Sequence, residues 1–207
     1  MILKLSYIGW IIILGSLMLS TAVHAEPPRE QKLTECLQRA EQSPDITLAE
    51  ADHWLKQGGG DAARLCRAFA QFHRGEFLAA AQAFRELADS TNKKQPRNPK
   101  HIAALAAQAG QAYARANDVR NAETAYAAAL KFEPQDPDIW LDRATMRADA
   151  EHYWDALDDV NKALTLMPDQ PEALRLRGQI WTKLGNISNA RVDYTRAAVL
   201  EGQQPEP

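Results

Sequence analysis

The side chains best suited to chemistry in this chain are its histidines and cysteines, but their spacing does not assemble a catalytic or metal site. Of five histidines, His24 lies in an apolar leader, and no remaining pair has the HExxH spacing of a zinc hydrolase. Cys66 and His73 are seven residues apart on one predicted helix, without further obvious ligands. The chain has no CxxC or CxxCH motif, which disfavours thioredoxin-like redox work and covalent haem attachment. We therefore expect no metal and no cofactor.

Two other polar segments also have simpler explanations than catalysis. Gly58-Gly59-Gly60-Asp61 opens a helix, where phosphate can bind, but it lacks the Lys-Ser/Thr of a nucleotide loop and is better interpreted as a turn. The acidic cluster of Asp155, Asp158 and Asp159 is typical of a solvated helix face. The chain also has no GxSxG motif and no evident Cys–His pair. These observations predict that the protein is not an enzyme.

The first 25 residues have the pattern of a secretory signal. A short basic start precedes an apolar run from Leu5 to Leu19, and Val23-His24-Ala25 supplies a cleavage position after Ala25. The run is shorter than the ~20 residues that a bilayer requires, which favours cleavage over an uncleaved membrane anchor. We expect a periplasmic or secreted protein that touches the membrane only if its signal stays attached.

Charge and cysteine content narrow the class of partner. Loss of Lys4 with the leader leaves 23 Lys and Arg against 27 Asp and Glu, so the net charge is 23 − 27 = −4. A mildly acidic chain is not expected to bind nucleic acid, which requires a basic face. Cys36 and Cys66 are the only cysteines. An even count in an oxidising compartment predicts one disulfide, the alternative being two separate buried thiols.

Several columns of similar residues recur along the chain every 34 residues. They are Gly110, Ala144 and Gly178; Ala122, Ala156 and Ala190; Tyr126, Val160 and Tyr194; and Pro134 and Pro168. A fixed period of this length is typical of a solenoid built from two-helix units. No segment alternates like a strand. The sequence therefore predicts an all-α fold of ten helices, with a polar linker from Thr91 to Lys100.

These columns resemble the tetratricopeptide repeat (TPR). The best-matched unit places Leu174, Gly178, Trp181, Gly185, Ala190, Tyr194 and Ala197 where the family has its large and small packing residues. The resemblance covers residues 61 to about 201 and implies a TPR-like superhelical solenoid of antiparallel helix pairs. The array would occupy 61–202, after a helical pair at 26–60 that is a cap or a degenerate repeat. Residues 203–207 would form a disordered tail.

The small-residue column predicts how the helices of a pair pack. Gly110, Ala144 and Gly178 would let the second helix of each pair approach the first closely. Tyr126 and Tyr194 would then fill the space between neighbouring pairs. No helix follows Leu200 to cover the last pair, so we expect an apolar face at the carboxyl end.

A charged column predicts bridges inside the units. Two units carry an arginine and an aspartate 16 residues apart, Arg143 with Asp159 and Arg177 with Asp193. The unit before them has Ala109 and Ala125 at the same positions, so charge is present at both or at neither. We expect each Arg–Asp pair to join the two helices of its unit. Arg67 is an exception, because Ala83 occupies the matching position.

The resemblance also implies a binding surface, because the first helix of each pair lines a concave groove in the family. The corresponding residues here are Gln108, Gln111, Arg115, Asp138, Asp142, Thr145, Asp149, Arg175, Gln179 and Lys183. Acidic residues lie centrally and basic residues flank them, which suits a peptide with a basic centre. Ala107 and Leu176 stand where a clamp for a terminal carboxylate would need polar residues, which disfavours that mode.

We therefore predict an exported protein-interaction scaffold that binds a protein or peptide. One alternative is a non-catalytic accessory or regulatory subunit of a cell-envelope enzyme or secretion assembly. Another is a structural protein that self-associates through its uncovered carboxyl-terminal pair. Trp154 fits no packing column, and is expected either to contact a partner or to be partly buried against the next pair.

Overall fold

The computed structural model describes residues 28–94 and 98–202, and throughout these ranges the regular elements are α helices. They are α1 (Arg29–Gln42), α2 (Pro44–Lys56), α3 (Gly60–His73), α4 (Phe77–Lys94), α5 (Pro99–Arg115), α6 (Val119–Phe132), α7 (Pro137–Asp149), α8 (Tyr153–Leu166), α9 (Pro171–Lys183) and α10 (Ile187–Leu200). The prediction of an all-α fold is confirmed. The leader at 1–25 and the tail at 203–207 lie outside the described residues. Among the described helices, none is both long and apolar enough for a membrane span.

The helix pairs from α3 to α10 end their first helix in the same way. Gly75, Asn117, Glu151 and Gly185 follow helices α3, α5, α7 and α9, and each has a positive φ between 59° and 85°. The next backbone N–H then donates to a carbonyl five residues earlier, as from Asp118 to Tyr113 at 2.9 Å. This left-handed closure reverses the chain and satisfies carbonyls that the helix end leaves free. Glu151 therefore adopts the conformation that glycine takes in two of the other turns.

Polar and proline residues define where the helices begin. Proline occupies the first turn of α2, α5, α7 and α9, where its missing N–H costs no helical hydrogen bond. The side chains of Asn98, Asp118, Asp136 and Asn186 accept backbone hydrogen bonds at the starts of α5, α6, α7 and α10. The join between α4 and α5 is shorter than predicted, because α4 continues to Lys94. Thr91 is buried there, and the ammonium of Lys94 lies 2.8 Å from Asp61 on α3.

The apolar interior consists of three clusters that follow the chain. The first spans α1 to α3 around Cys36, Trp54 and Cys66, which are at most 7% exposed. The second runs from α3 to α7, and the third from α7 to α10. Helix α7 contributes Met146 to the second cluster and Ala144 to the third. Each helix pair therefore buries its apolar side against its neighbours, as expected for a stacked array.

The tyrosines of the small-residue column pack within their own pair, not between pairs as the sequence led us to expect. A Cβ added to Gly110 would lie 3.0 Å from ring atoms of Tyr126, and one on Gly178 would lie 2.7 Å from Tyr194. The unit between them has Ala144 and Val160 at the corresponding positions. A large second-helix residue thus matches glycine, and a smaller one matches alanine.

This matching predicts that Gly110→Ala destabilises the protein and that Tyr126→Val relieves the effect. Tyr126 is 2% exposed, so its ring has no open space into which to move, and overpacking of this kind costs about 1–3 kcal/mol. Chemical denaturation of Gly110→Ala, Tyr126→Val and the double variant measures the coupling. The double variant reproduces the Ala144–Val160 arrangement and should be more stable than the two single effects added together. Simple additivity would contradict the steric explanation.

Candidate functional site

The first helices of successive pairs form one continuous surface. Helix α5 contacts α7, and α7 contacts α9, whereas the second helices of successive pairs contact each other less. The array therefore curves, with α5, α7 and α9 on its concave side and α4, α6, α8 and α10 on its outer side. The concave surface presents the residues that the sequence assigned to a groove.

Helix α7 is held in this position by charged groups on its outer side. Nε and Nη2 of Arg143 donate to the two carboxylate oxygens of Asp159 at 2.8 and 2.7 Å. Arg147 donates to Asp159 at 2.7 Å, and also to both carboxylate oxygens of Glu123 on α6 at 2.7 and 3.0 Å. Arg147 thus joins two pairs, and hydrogen bonding to Glu123, with the nearby acids Asp159, Glu123 and Asp155, outweighs its desolvation and raises its pKa. The guanidinium of Arg143 also lies over the Trp140 ring.

Helix α9 is held by the equivalent bridge. Arg177 donates to both carboxylate oxygens of Asp193 at 2.8 and 2.6 Å, and to Asn161 on α8 at 2.9 Å. Both predicted Arg–Asp bridges are therefore present. The exception, Arg67, finds its partner on the preceding helix instead, where it donates to Asp52 of α2 at 2.8 Å.

A cleft of about 310 Å³ lies between α7 and α9 on the concave side. Thr145 and Asp149 line it from α7, and Gln179 and Lys183 line it from α9. All four belong to the groove residues expected from the sequence. Its other lining residues, which the sequence did not assign to the groove, are Ala148, Glu151, Tyr153, Leu176 and Ile180. The cleft thus combines an apolar floor with one basic and two acidic side chains at its edges.

Acidic side chains continue from this cleft along α7. Desolvation within the concave surface, followed by repulsion from Asp138 and Asp136, raises the pKa of Asp142 to about 6. The side chain remains exposed, so crowding by neighbouring groups rather than enclosure accounts for this desolvation. Asp138 accepts a hydrogen bond from Gln170 at 3.0 Å. Asp142 is therefore mostly ionised at pH 7, and its charge is lost as the pH falls through about 6.

The remaining groove residues lie apart from the cleft. Gln108 and Gln111 are half-buried on α5, and Arg115 is exposed at the end of that helix, where its guanidinium lies 5.1 Å from the Phe77 ring centre. Arg175 on α9 forms ion pairs with Glu201 and Glu172. Four of the expected residues share one cleft, and the other six extend the surface beyond it.

The outer side also differs from one sequence expectation. Trp154 is 67% exposed, so it does not use the partial burial that the sequence allowed. Within the described ranges, no group of three or more His, Cys, Asp or Glu side chains is arranged to hold a metal ion.

Comparison with protein families decides the classification. Two tetratricopeptide repeat profiles match the sequence, one at residues 103–146 and one at 147–206. The chain belongs to the tetratricopeptide repeat family. The matched residues include α7 and α9, so the cleft is formed by the first helices of two TPR units.

Solved structures share this TPR fold at low sequence identity. A form of MamA from Desulfovibrio magneticus RS-1 that starts at residue 41 is 16% identical, with a TM-score of 0.67 over 88% of this chain and 100% of that one. TTC0263, a thermophilic TPR protein of Thermus thermophilus, is 19% identical, with a TM-score of 0.60 over 84% of this chain and 92% of that one. No curated protein matches the sequence. The TPR fold is a scaffold for protein–protein interaction and is typically non-catalytic.

Proposed function

We propose that this TPR protein is an interaction scaffold that binds a peptide segment with a basic centre in its concave groove. The observation that supports the proposal most directly is the cleft between α7 and α9. Its floor offers Leu176 and Ile180 to an apolar side chain, and its edge carries Asp149. Asp142 and Asp138 extend the negative charge along α7, toward which a cationic side chain of the peptide would be drawn.

Charge reversal on the groove is expected to weaken such binding selectively. The probe is a pair of fluorescent ten-residue peptides with a leucine beside either two central lysines or two central glutamates. Asp142→Lys/Asp149→Lys should raise the Kd of the lysine peptide at least about tenfold at low salt, because two attractive charges become repulsive. Fluorescence anisotropy measures this effect.

A matched control reverses two charges on the outer side. Glu86→Lys/Asp158→Lys changes the net charge equally, but the residues are exposed on α4 and α8. Its affinity for the lysine peptide should stay within about twofold of the parent protein. If both variants lose affinity equally, only net charge matters and the groove proposal fails. Tighter binding of the glutamate peptide by the parent protein would also overturn it.

We further propose that the protein is exported and that its signal is removed after Ala25. The apolar leader supports this, and so does the disulfide between Cys36 and Cys66, since such bonds persist in oxidising compartments. Expression of the full chain in a bacterial host should yield a periplasmic form whose intact mass corresponds to a start at Glu26. Ala25→Arg should block cleavage and leave a longer form in the membrane fraction. Recovery of the uncut parent chain from the cytoplasm would refute the proposal.

A further inference from the structure

The outer side of the array has an apolar hollow between α4 and α6. Its volume is about 170 Å³. The floor is formed by Ala106, Ala109 and Tyr113 of α5, and alanines of α4 and α6 form much of the walls. Ala109 is fully buried and Tyr113 is 3% exposed, so the floor is part of the packed interior. The exposed side chains of Arg85 and Asp89 stand on the α4 side of the opening.

The hollow exists because this unit lacks the ion pair of the next two. Ala109 and Ala125 occupy the positions that hold Arg143 and Asp159 in the next unit, and Arg177 and Asp193 in the last. Ala106 likewise stands where the next unit has Trp140, whose ring lies 4.9 Å from the Arg143 guanidinium. Side chains of the protein fill this position between α6 and α8, whereas between α4 and α6 they leave a cavity.

The shape and surface of the hollow favour one aromatic side chain. An apolar cavity of about 150 Å³ accepts a benzene molecule, so 170 Å³ is sufficient for an aromatic ring. It is too small for a folded segment of backbone. Arg85 at the opening adds a preference for an aromatic residue that has acidic neighbours.

The same chain carries an aromatic residue of this description. Trp154, at 67% exposure, is the most exposed large apolar residue in the part of the chain that the structure describes. It lies at the start of α8, on the side opposite the buried residues Ala156 and Val160, and therefore on the outer side of the array. Asp155 and Asp158 provide acidic neighbours in sequence. The hollow and the indole cannot meet within one molecule, because α6 lies between them.

We infer that Trp154 of one copy inserts into the hollow between α4 and α6 of a second copy. The two surfaces are different parts of the chain, so each molecule keeps one free indole and one free hollow after the first contact. Such a heterologous contact adds further copies until a ring closes or a filament grows. The contact uses the outer side and leaves the concave groove accessible, so it does not depend on the proposed peptide binding.

Sedimentation velocity of residues 26–207 over a concentration series tests the inference. The parent protein should show a weight-average mass that rises with concentration. Trp154→Ala removes the aromatic group, and Ala128→Arg blocks the rim of the hollow with the residue found at the matching position, Arg196. Each should raise the dissociation constant at least about 30-fold, as loss of an aromatic hot spot does. Ala128 is exposed, so the folding of that variant is not at risk.

Mixing the two variants provides the decisive arm. One retains the hollow and the other retains Trp154, so an equimolar mixture should form a one-to-one dimer that neither forms alone. Val192→Ser, at an exposed position on α10, should associate like the parent protein. A monomeric parent at all concentrations would overturn the inference, as would a mixture that stays monomeric. Loss of association in Val192→Ser would instead place the contact at the carboxyl-terminal helix and also overturn it.

Discussion

Asp159→Ala is expected to lower the free energy of unfolding by about 3–5 kcal/mol, the usual cost of removing one partner from a buried ion pair. Asp159 is 2% exposed and accepts hydrogen bonds from both Arg143 and Arg147. The side chains of these arginines are only 13% and 18% exposed, so water cannot fully replace the carboxylate. For a chain of this size the midpoint of thermal unfolding should fall by roughly 6–20 °C. Differential scanning calorimetry and urea denaturation measure the two quantities.

Two further substitutions separate this effect from a general loss of charge. Asp158→Ala changes the adjacent residue, which is exposed, and should alter stability by no more than about 0.5 kcal/mol. Arg143→Ala, Asp159→Ala and their combination complete a double-mutant cycle, in which the two single effects should exceed the combined effect. If the cycle shows no coupling, the Arg143–Asp159 bridge does not contribute to stability in the way its geometry indicates.

The comparison of Asp159 with Asp193 shows why position in the array matters. Both are buried aspartates that accept two hydrogen bonds from an arginine 16 residues earlier. Asp193 has a single arginine partner, Arg177, whose side chain is 24% exposed in the last pair. Asp159 has two, and one of them also reaches Glu123 on α6. A loss at Asp159 therefore weakens the contact between successive pairs as well as the contact within one pair.

The periodic part of this arrangement was predictable from the sequence, and the part between units was not. A spacing of 16 residues that occurs in two units indicates a contact between the two helices of each unit. Arg147 and Glu123 are 24 residues apart and belong to different units, and no other unit repeats the combination. The sequence showed only that Arg147 interrupts a column of Tyr113 and Trp181. A contact that occurs once leaves no period from which to infer it.

The same distinction applies to the candidate site. The period places Thr145 and Asp149 on α7, and Gln179 and Lys183 on α9, at corresponding positions, which is why they share a cleft. Its depth depends on how closely α7 approaches α9 and on the turn at Glu151, which the period does not determine. The order of Gly110 and Tyr126 illustrates the same limit. A column of small residues indicates close approach, but only the backbone shows which large side chain covers it.

Removal of the disulfide is expected to destabilise the amino-terminal helices by about 3–4 kcal/mol, given a closed loop of 30 residues between Cys36 and Cys66. The structure confirms the predicted bond, with Cα atoms 5.9 Å apart, and joins α1 to α3. The apolar cluster around the bond is small, and Ala51, Trp54 and Ala63 are its other buried members. Alanine at both cysteines is the preferred replacement, because it leaves no free thiol.

The loss should be local, because stability in a stacked array is roughly a sum over units and the contacts between neighbours. Hydrogen exchange of Cys36→Ala/Cys66→Ala, measured by mass spectrometry, should show reduced protection in α1 and α2 while α9 and α10 keep that of the parent protein. The parent chain after reduction by phosphine is the matched control, since it lacks only the bond, and should show the same pattern. Both sulfurs are almost fully buried, so its reduction should be slow until α1 separates from α3. Equal loss of protection in all the helices would mean that the array unfolds as one cooperative unit, and that the bond stabilises the far end of the solenoid as much as the near one.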